Sequence, residues 1–253
     1  MGAARLPGSG GARDACRGAH LLCPGPALGG LPAPVARRPG DRGSAGEAVT
    51  ARRLVVWRHG QTDWNLHRRW QGEADIPLNE TGLVQAREAA PRLAELGITE
   101  IWSSDLQRAY ATAGALAELT GLPIRTDQRL REISVGQWSG RVLTELLDEF
   151  GAVLEREARG EDVVRGVTGE SVRQVEARVA EALREIGEQA PDDAVVAVVM
   201  HGLAGKVGAL ELVGIPPELK ESFGSLDNCG WITIDRSHQP AHPWRITHYN
   251  ETA

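Results

Sequence analysis

What this 253-residue chain has little of narrows its function before any motif is found. Cysteine occurs three times, at Cys16, Cys23 and Cys229, with no C-x-x-C spacing. That pattern excludes a disulfide framework and a zinc ribbon, and fits a reducing compartment. No apolar run approaches the length of a membrane span, so a soluble, cytoplasmic protein with no membrane partner is expected. Lysine is nearly absent: Lys206 and Lys220 are the only two, and the remaining basic groups are Arg. The Arg, Ala and Gly excess reads as a coding bias without functional content. The formal net charge is -6, of which residues 1–48 hold +3, leaving -9 for the rest. So acidic a body lacks the basic footprint of a general nucleic-acid binder. There is no repeat of solenoid length. Neither His59 nor His201 belongs to an H-x-x-x-H or comparable ligand spacing, so neither a metal nor a cofactor is expected.

Residues 1–48 are rich in Gly, Pro, Ala and Arg and show almost no periodic apolar pattern. Such a segment cannot bury enough surface to offset its ordering entropy, and it reads as a disordered leader. The stretch A-H-L-L-C-P-G-P-A-L is too short and Pro-broken for a secretory core. Val49 has the look of a natural start, a few residues before the first strand, so the leader is also readable as an over-extended start. Residues 49–253 are expected to form the functional domain.

From residue 53 the chain alternates strand and helix signals. Leu54–Trp57, Ile98–Trp102 and Pro123–Thr126 are short strand candidates, and A-V-V-A-V-V-M at 194–200 is the most hydrophobic one. Leu83, Ala86, Ala90, Leu93 and Leu96 recur at helical spacing between Asn79 and Gly97, with Pro91 weakening the middle. Further helices are expected over about 106–119, closed by Gly121, over 143–157, and from 202 to Val213. Val172, Val175, Val179, Leu183 and Ile186 mark another amphipathic face. Trp231–Ile234 and Trp244–His248 close the chain as strands. This alternation predicts a three-layer α/β/α sandwich with a mainly parallel central sheet.

Two apolar strands end alike, V-V-W-R-H-G at His59 and V-V-M-H-G at His201. In open α/β sheets ligands bind beyond the carboxyl ends of the strands, so two distant histidines can share one pocket. A lone strand-end His is more often structural. Arg108 taken alone reads as a surface cation, and Glu132 as a solvated acid. Yet Arg108 falls one turn into the helix after S-S-D-L-Q-R, and Asn65 lies in the loop after His59. Glu132 precedes Gly136, Trp138 and Gly140, which suggest a tight loop with a packed aromatic. Together these residues offer phosphate binding, a nucleophile and a proton donor.

The ordered segments R-H-G-Q-T-D-W-N, S-S-D-L-Q-R-A, L-R-E-I-S-V-G-Q-W-S-G and M-H-G resemble the histidine phosphatase superfamily, which includes phosphoglycerate mutases. The likeness spans about residues 53–250. Within it, S-L-D-N-C-G-W and the ending W-R-I-T-H-Y-N-E-T-A look most like the actinobacterial glucosyl-3-phosphoglycerate phosphatases.

The resemblance implies a phosphomonoesterase that needs no metal and forms a phosphohistidine on His59. Glu132 is then the acid/base that protonates the leaving alkoxide and deprotonates the attacking water. Arg58 and Arg108 bind the phosphoryl group as planar forks, and His201, if protonated, adds a third positive donor. Nearby Arg charges would keep a ring nitrogen of His59 free for attack. Asn65, Gln71, Gly72 and Gly202 are expected to bind substrate, and Arg69 is a candidate carboxylate contact, though it also reads as a surface Arg. Mutases of the superfamily carry T-G where this chain has Gln71-Gly72, and a longer insertion before the second histidine; both departures favour hydrolysis. At the second histidine the common H-G-G is here His201-Gly202-Leu203, which bears on pocket shape. The expected partner is a small phosphorylated molecule of phosphoglycerate or sugar type, and the resemblance allows a homodimer. The alternatives are a phosphoglycerate mutase, an alpha-ribazole phosphatase, and a degenerate member that only binds phospho-ligands.

Overall fold

The computed structural model describes residues 50–253. The expectations for residues 1–48, including Cys16, Cys23 and the start at Val49, lie outside the described residues. The described elements run β1 (Arg53–Arg58), α1 (Asp63–Leu66), α2 (Glu80–Glu95), β2 (Glu100–Ser103), α3 (Gln107–Thr120), β3 (Ile124–Thr126), α4 (Leu143–Ala158), α5 (Val172–Gln189), β4 (Val195–Met200), α6 (Gly202–Leu212), α7 (Pro217–Lys220), β5 (Trp231–Gln239) and β6 (His242–Glu251). The strands form a single sheet in the order β3-β2-β4-β1-β5-β6. From β3 to β1 the neighbours are parallel, and β5 and β6 add an antiparallel edge. This is the mainly parallel α/β sandwich that the alternation predicts.

Strand periodicity divides the core into two. Leu54, Val56, Val196, Val198 and Met200 face α5 and α6, packing with Val175, Val179, Leu183 and Val207. Val55, Trp57, Val195, Ala197 and Val199 point the other way, onto Ala86, Ala90 and Leu93 of α2 and Ala109, Ala113 and Leu116 of α3. Side chains buried on both faces explain why β1 and β4 read as continuous apolar runs rather than alternating ones. Each fully buried aliphatic chain contributes roughly 1.5–3 kcal/mol, so this central pair anchors the sheet.

Local signals hold at the helix ends. Asn79 caps α2 by accepting from Gly82 N–H at 2.9 Å, and Gly121 ends α3 in the left-handed conformation at φ 71°. Ser171 and Gln174 form a capping box on α5. The helix α2 continues through Pro91, which sits on its exposed side. Leu83, expected on the buried face, is 38% exposed; Gly82 and Ala89 take that face instead, because the stripe packs small residues against α3. The two final strands run further than their apolar cores, forming a hairpin whose distal half is mostly exposed. Among the described residues no helix is long and apolar enough to cross a membrane.

Candidate active site

β1 and β4 are adjacent and in register, Arg58 opposite Met200, so both histidines emerge at the same edge of the sheet. Their rings meet edge-on, with centroids 5.2 Å apart. His59 is buried, and its Nδ1 lies 2.7 Å from the carbonyl of Gly60. A carbonyl only accepts, so Nδ1 carries the proton and the neutral ring keeps its lone pair on Nε2. Burial first, then the charges of Arg108 and Arg58, push the imidazole well below its ordinary titration. The two arginines are legible in the sequence, but burial is the larger cause.

His201 has the opposite arrangement. Its Nδ1 accepts from Nε of Arg108 at 3.2 Å, so Nε2 carries the hydrogen and gives it to Ser104 Oγ at 2.9 Å. Burial, followed by Arg108, depresses its titration well below the usual value. The condition under which His201 would add a third cation, a protonated ring, is not met in this geometry. With a guanidinium donating into its ring, His201 stands as a neutral group.

Arg108 is the second residue of α3 and is fully buried, not the surface cation that its isolated context suggests. Unpaired, such a charge would cost several kcal/mol. The carbonyls of Ala74 and Gly72 accept from its Nη1 and Nη2 at 2.6 and 2.8 Å, which holds the fork in place. Burial pushes its titration down to about 10, still protonated at neutral pH. Asp75 ties the same loop to α3 by accepting from the backbone and side chain of Gln107. Arg58 bonds the carbonyl of Leu226 through Nη1, while its buried Nε has no partner among the described residues. Its guanidinium lies against Gly202, where an added Cβ would stand 3.2 Å from Nε. Glycine at that position thus leaves room for the cation.

Asn65 sits not in an open loop but in α1, where it completes a capping box with Thr62. Four residues are too few for a periodic signal, so only Thr62 could have announced this helix. Gln71 is nearly buried, and its Oε1 is unpaired among the described residues. Gly72 adopts φ +53°, and a Cβ there would press on Val135.

Glu132 approaches from the loop before Trp138. Its Oε1 accepts from Ile133 N–H at 3.0 Å and Ala204 N–H at 2.9 Å, and its Oε2 from Leu203 N–H at 3.1 Å. It therefore caps the start of α6, where His201 offers no side-chain cap. Leu203, the departure from H-G-G, supplies one of these donors through its backbone. Arg178 of α5 fixes the loop by bonding the carbonyls of Arg129, Arg131 and Glu132 and the carboxylate of Glu170. Trp138 is fully buried against Trp70 and Phe150, as the tight Gly136–Gly140 loop predicts.

A cavity of about 190 Å³ gathers Arg58, His59, Asn65, Gln71, Gly72, Arg108, Glu132 and Gly202, with Arg69 and Arg165 on its walls. His201 is not on that lining; it stands behind, against the ring of His59. Arg165 was not singled out by the sequence. It is nearly buried, pairs with Glu157 and lies 5.0 Å over the Trp70 ring. Its only sequence mark is a charge inside a Gly-rich loop. A larger hollow of about 280 Å³ beside Trp138 and Phe150 contains none of the histidines, so the smaller one is the candidate site. Among the described residues no three His, Cys, Asp or Glu side chains are grouped as metal ligands.

Comparisons with known proteins give the family. A family model described as "Histidine phosphatase superfamily (branch 1)" matches residues 54–252. The chain is 37% identical over 219 residues to a glucosyl-3-phosphoglycerate phosphatase of Mycobacterium tuberculosis (strain CDC 1551 / Oshkosh), covering 81% of this chain and 97% of that protein. It is 35% identical over 202 residues to a probable phosphoglycerate mutase GpmB of Yersinia pestis (strain Pestoides F), covering 79% and 93%. Among solved structures, a mycobacterial glucosyl-3-phosphoglycerate phosphatase in complex with VO3 superposes with a TM-score of 0.72 at 36% identity, covering 79% of this chain and all of that one.

Proposed function

The chain belongs to the histidine phosphatase superfamily and is an enzyme of that type, and on this premise we propose that it hydrolyses phosphomonoesters through a phosphohistidine on His59. The observation that carries the proposal is the bond from Nδ1 of His59 to the Gly60 carbonyl, which leaves Nε2 unprotonated in a cavity with Arg58 and Arg108. In the first step the Nε2 lone pair attacks phosphorus and the P–O bond to the leaving group breaks. The released alkoxide takes a proton from Glu132. Water then attacks the phosphohistidine, gives its proton to Glu132, and the P–N bond electrons return to Nε2. Of the roughly four acceptor directions of a carboxylate, three are used by N–H groups, so the free direction on Oε2 is the one that carries this proton.

Arg58, with its unpaired Nε, and Arg108 stabilise the charge on the transferring phosphoryl group without a metal. Asn65 and Gly202 complete that wall. His201 enters as a neutral ring behind the cavity wall that orients Arg108. Gln71 and Gly72 border the leaving group. Four arginines and one acid, Glu132, line the cavity, which favours a substrate with a second anionic group. That supports the phosphoglycerate type, glucosyl-3-phosphoglycerate included, over a neutral sugar phosphate. The mutase-named relative supports a second reading, in which the phosphoryl group returns to substrate.

Rapid quenching with radioactively phosphorylated substrate tests the intermediate: acid-labile label is expected on the parent and absent from His59→Ala. Label retained in the variant would remove His59 as nucleophile. Turnover of glucosyl-3-phosphoglycerate, 3-phosphoglycerate and ribazole phosphate, in the presence of a chelator, then separates substrates. Release of inorganic phosphate supports hydrolysis, whereas isomerised phosphoglycerate supports transfer.

A further inference from the structure

The segment S-L-D-N-C-G, residues 225–230, contributes nothing to the cavity lining, yet it braces the end of β1. The carbonyl of Leu226 accepts from the Arg58 guanidinium. The carbonyl of Gly230 accepts from Arg58 N–H at 2.9 Å, and that of Cys229 from the Trp57 indole at 3.0 Å. Asn228 occupies the centre. Its Nδ2 donates to the carbonyl of His59 at 3.2 Å and to Oδ1 of Asn65 at 3.3 Å.

We infer that Asn228 is a positioning residue, which locks Asn65 with its NH2 group turned toward the cavity and braces the backbone of the nucleophile. The inference rests on the proposed reading of His59 and Asn65 as residues of a phosphate site. A carboxamide has a donor end and an acceptor end of nearly equal shape, so its neighbours decide which faces the ligand. Thr62 N–H approaches Asn65 Oδ1 at 3.1 Å and can only donate. Thr62 Oγ1 lies 3.1 Å from the same oxygen, and Asn228 adds a donor from a segment 163 residues away. With Oδ1 committed to these groups, Nδ2 of Asn65 has no partner among the described residues and is left for an anion. The flip that would present the oxygen, and repel a phosphate, would set two NH2 groups and an N–H against one another. Asn228 is the member of this set that also holds His59, so it joins the donor and the nucleophile in one unit.

The test is calorimetric titration of the full chain with inorganic phosphate. The parent is expected to bind, and Asn65→Ala to bind roughly tenfold more weakly, the scale of one lost hydrogen bond to a charged group. Asn228→Ala should weaken phosphate by roughly the same factor in the parent, but by less than about twofold when Asn65 is already Ala. A merely structural role would instead lower the melting temperature and multiply with Asn65→Ala. Equal phosphate affinity in Asn228→Ala and parent, or fully multiplicative effects, overturns the inference alone. A parent that binds no phosphate overturns the reading of the cavity, and the inference with it. Asn228→Leu, close in shape and without a donor or charge, is read in the same way where the alanine chain does not fold.

Discussion

The ends of β1 and β4 stand side by side, each delivering a His–Gly pair to the same edge, and their histidines are prepared in opposite ways. His59 gives Nδ1–H to a carbonyl and keeps a lone pair toward the cavity. His201 spends both nitrogens inside the protein, one on Arg108 and one on Ser104. The motif supplies the address of each ring, whereas the partner of Nδ1 decides what the ring can do. A carbonyl partner leaves His59 with a free Nε2 lone pair, as the proposed nucleophile needs; a guanidinium partner leaves His201 neutral.

Removing each ring in turn separates the two histidines most strongly. His59→Ala is expected to lower kcat by at least about a thousandfold, against about a hundredfold for His201→Ala. Equal losses in steady-state turnover would erase the distinction. Next is the cation between them. Arg108→Lys cannot serve both the Gly72 and Ala74 carbonyls and the His201 ring, so kcat/KM is expected to fall about a hundredfold, with no rescue by raised substrate. Glu132→Gln extends the test to the proposed proton donor. Alkyl phosphates should slow about a hundredfold and aryl phosphates less than about threefold, because aryl leaving groups hardly need a proton. Equal losses on the two classes would defeat the acid/base role.

The smallest effect is on stability. Both rings titrate well below the ordinary histidine value in the folded chain, through burial first and Arg108 next. The unfolded chain therefore takes up protons near pH 6.5 that the folded chain refuses. Stability from the pair is complete above that pH and falls as the pH drops, by up to about 1.4 kcal/mol per ring per pH unit. His201→Gln should halve that slope between pH 6.5 and 5 in denaturant melts; an unchanged slope would mean His201 is not held neutral. Asp105, held down by Arg131, and Asp235, held down by Arg53, act in the same direction only below about pH 4, so the windows separate.

Much of this was legible in the residues because it is local or periodic. The run 194–200 and the valine stripe of α5 mark their elements unaided, and the doubled His–Gly ending marks the site. What stayed hidden depends on contacts across sequence. The burial of Arg108 is set by carbonyls 34 and 36 residues away, and no feature of S-S-D-L-Q-R distinguishes a buried cation from a surface one. The neutrality of His201 depends on that same arginine. Arg165 joins the cavity because a loop folds over Trp70. Asn228 stood in a segment noted only for its resemblance, since bracing a strand end leaves no periodic trace. The domain boundary near residue 49 remains an expectation from composition.

One contact made before any substrate arrives carries a further consequence. A Cβ on Gly60 would collide with the backbone of Gly82, and a Cβ on Gly82 with that of Gln61. The loop after His59 and the first turn of α2 are thus interlocked backbone to backbone, and neither partner can drift while the other stays. In a saturation library selected for activity, Gly82, which lines no part of the cavity, is expected to tolerate as few replacements as Gly60. Heritable constraint in this enzyme then extends to a helix start whose side chain, if it had one, would never meet a phosphate.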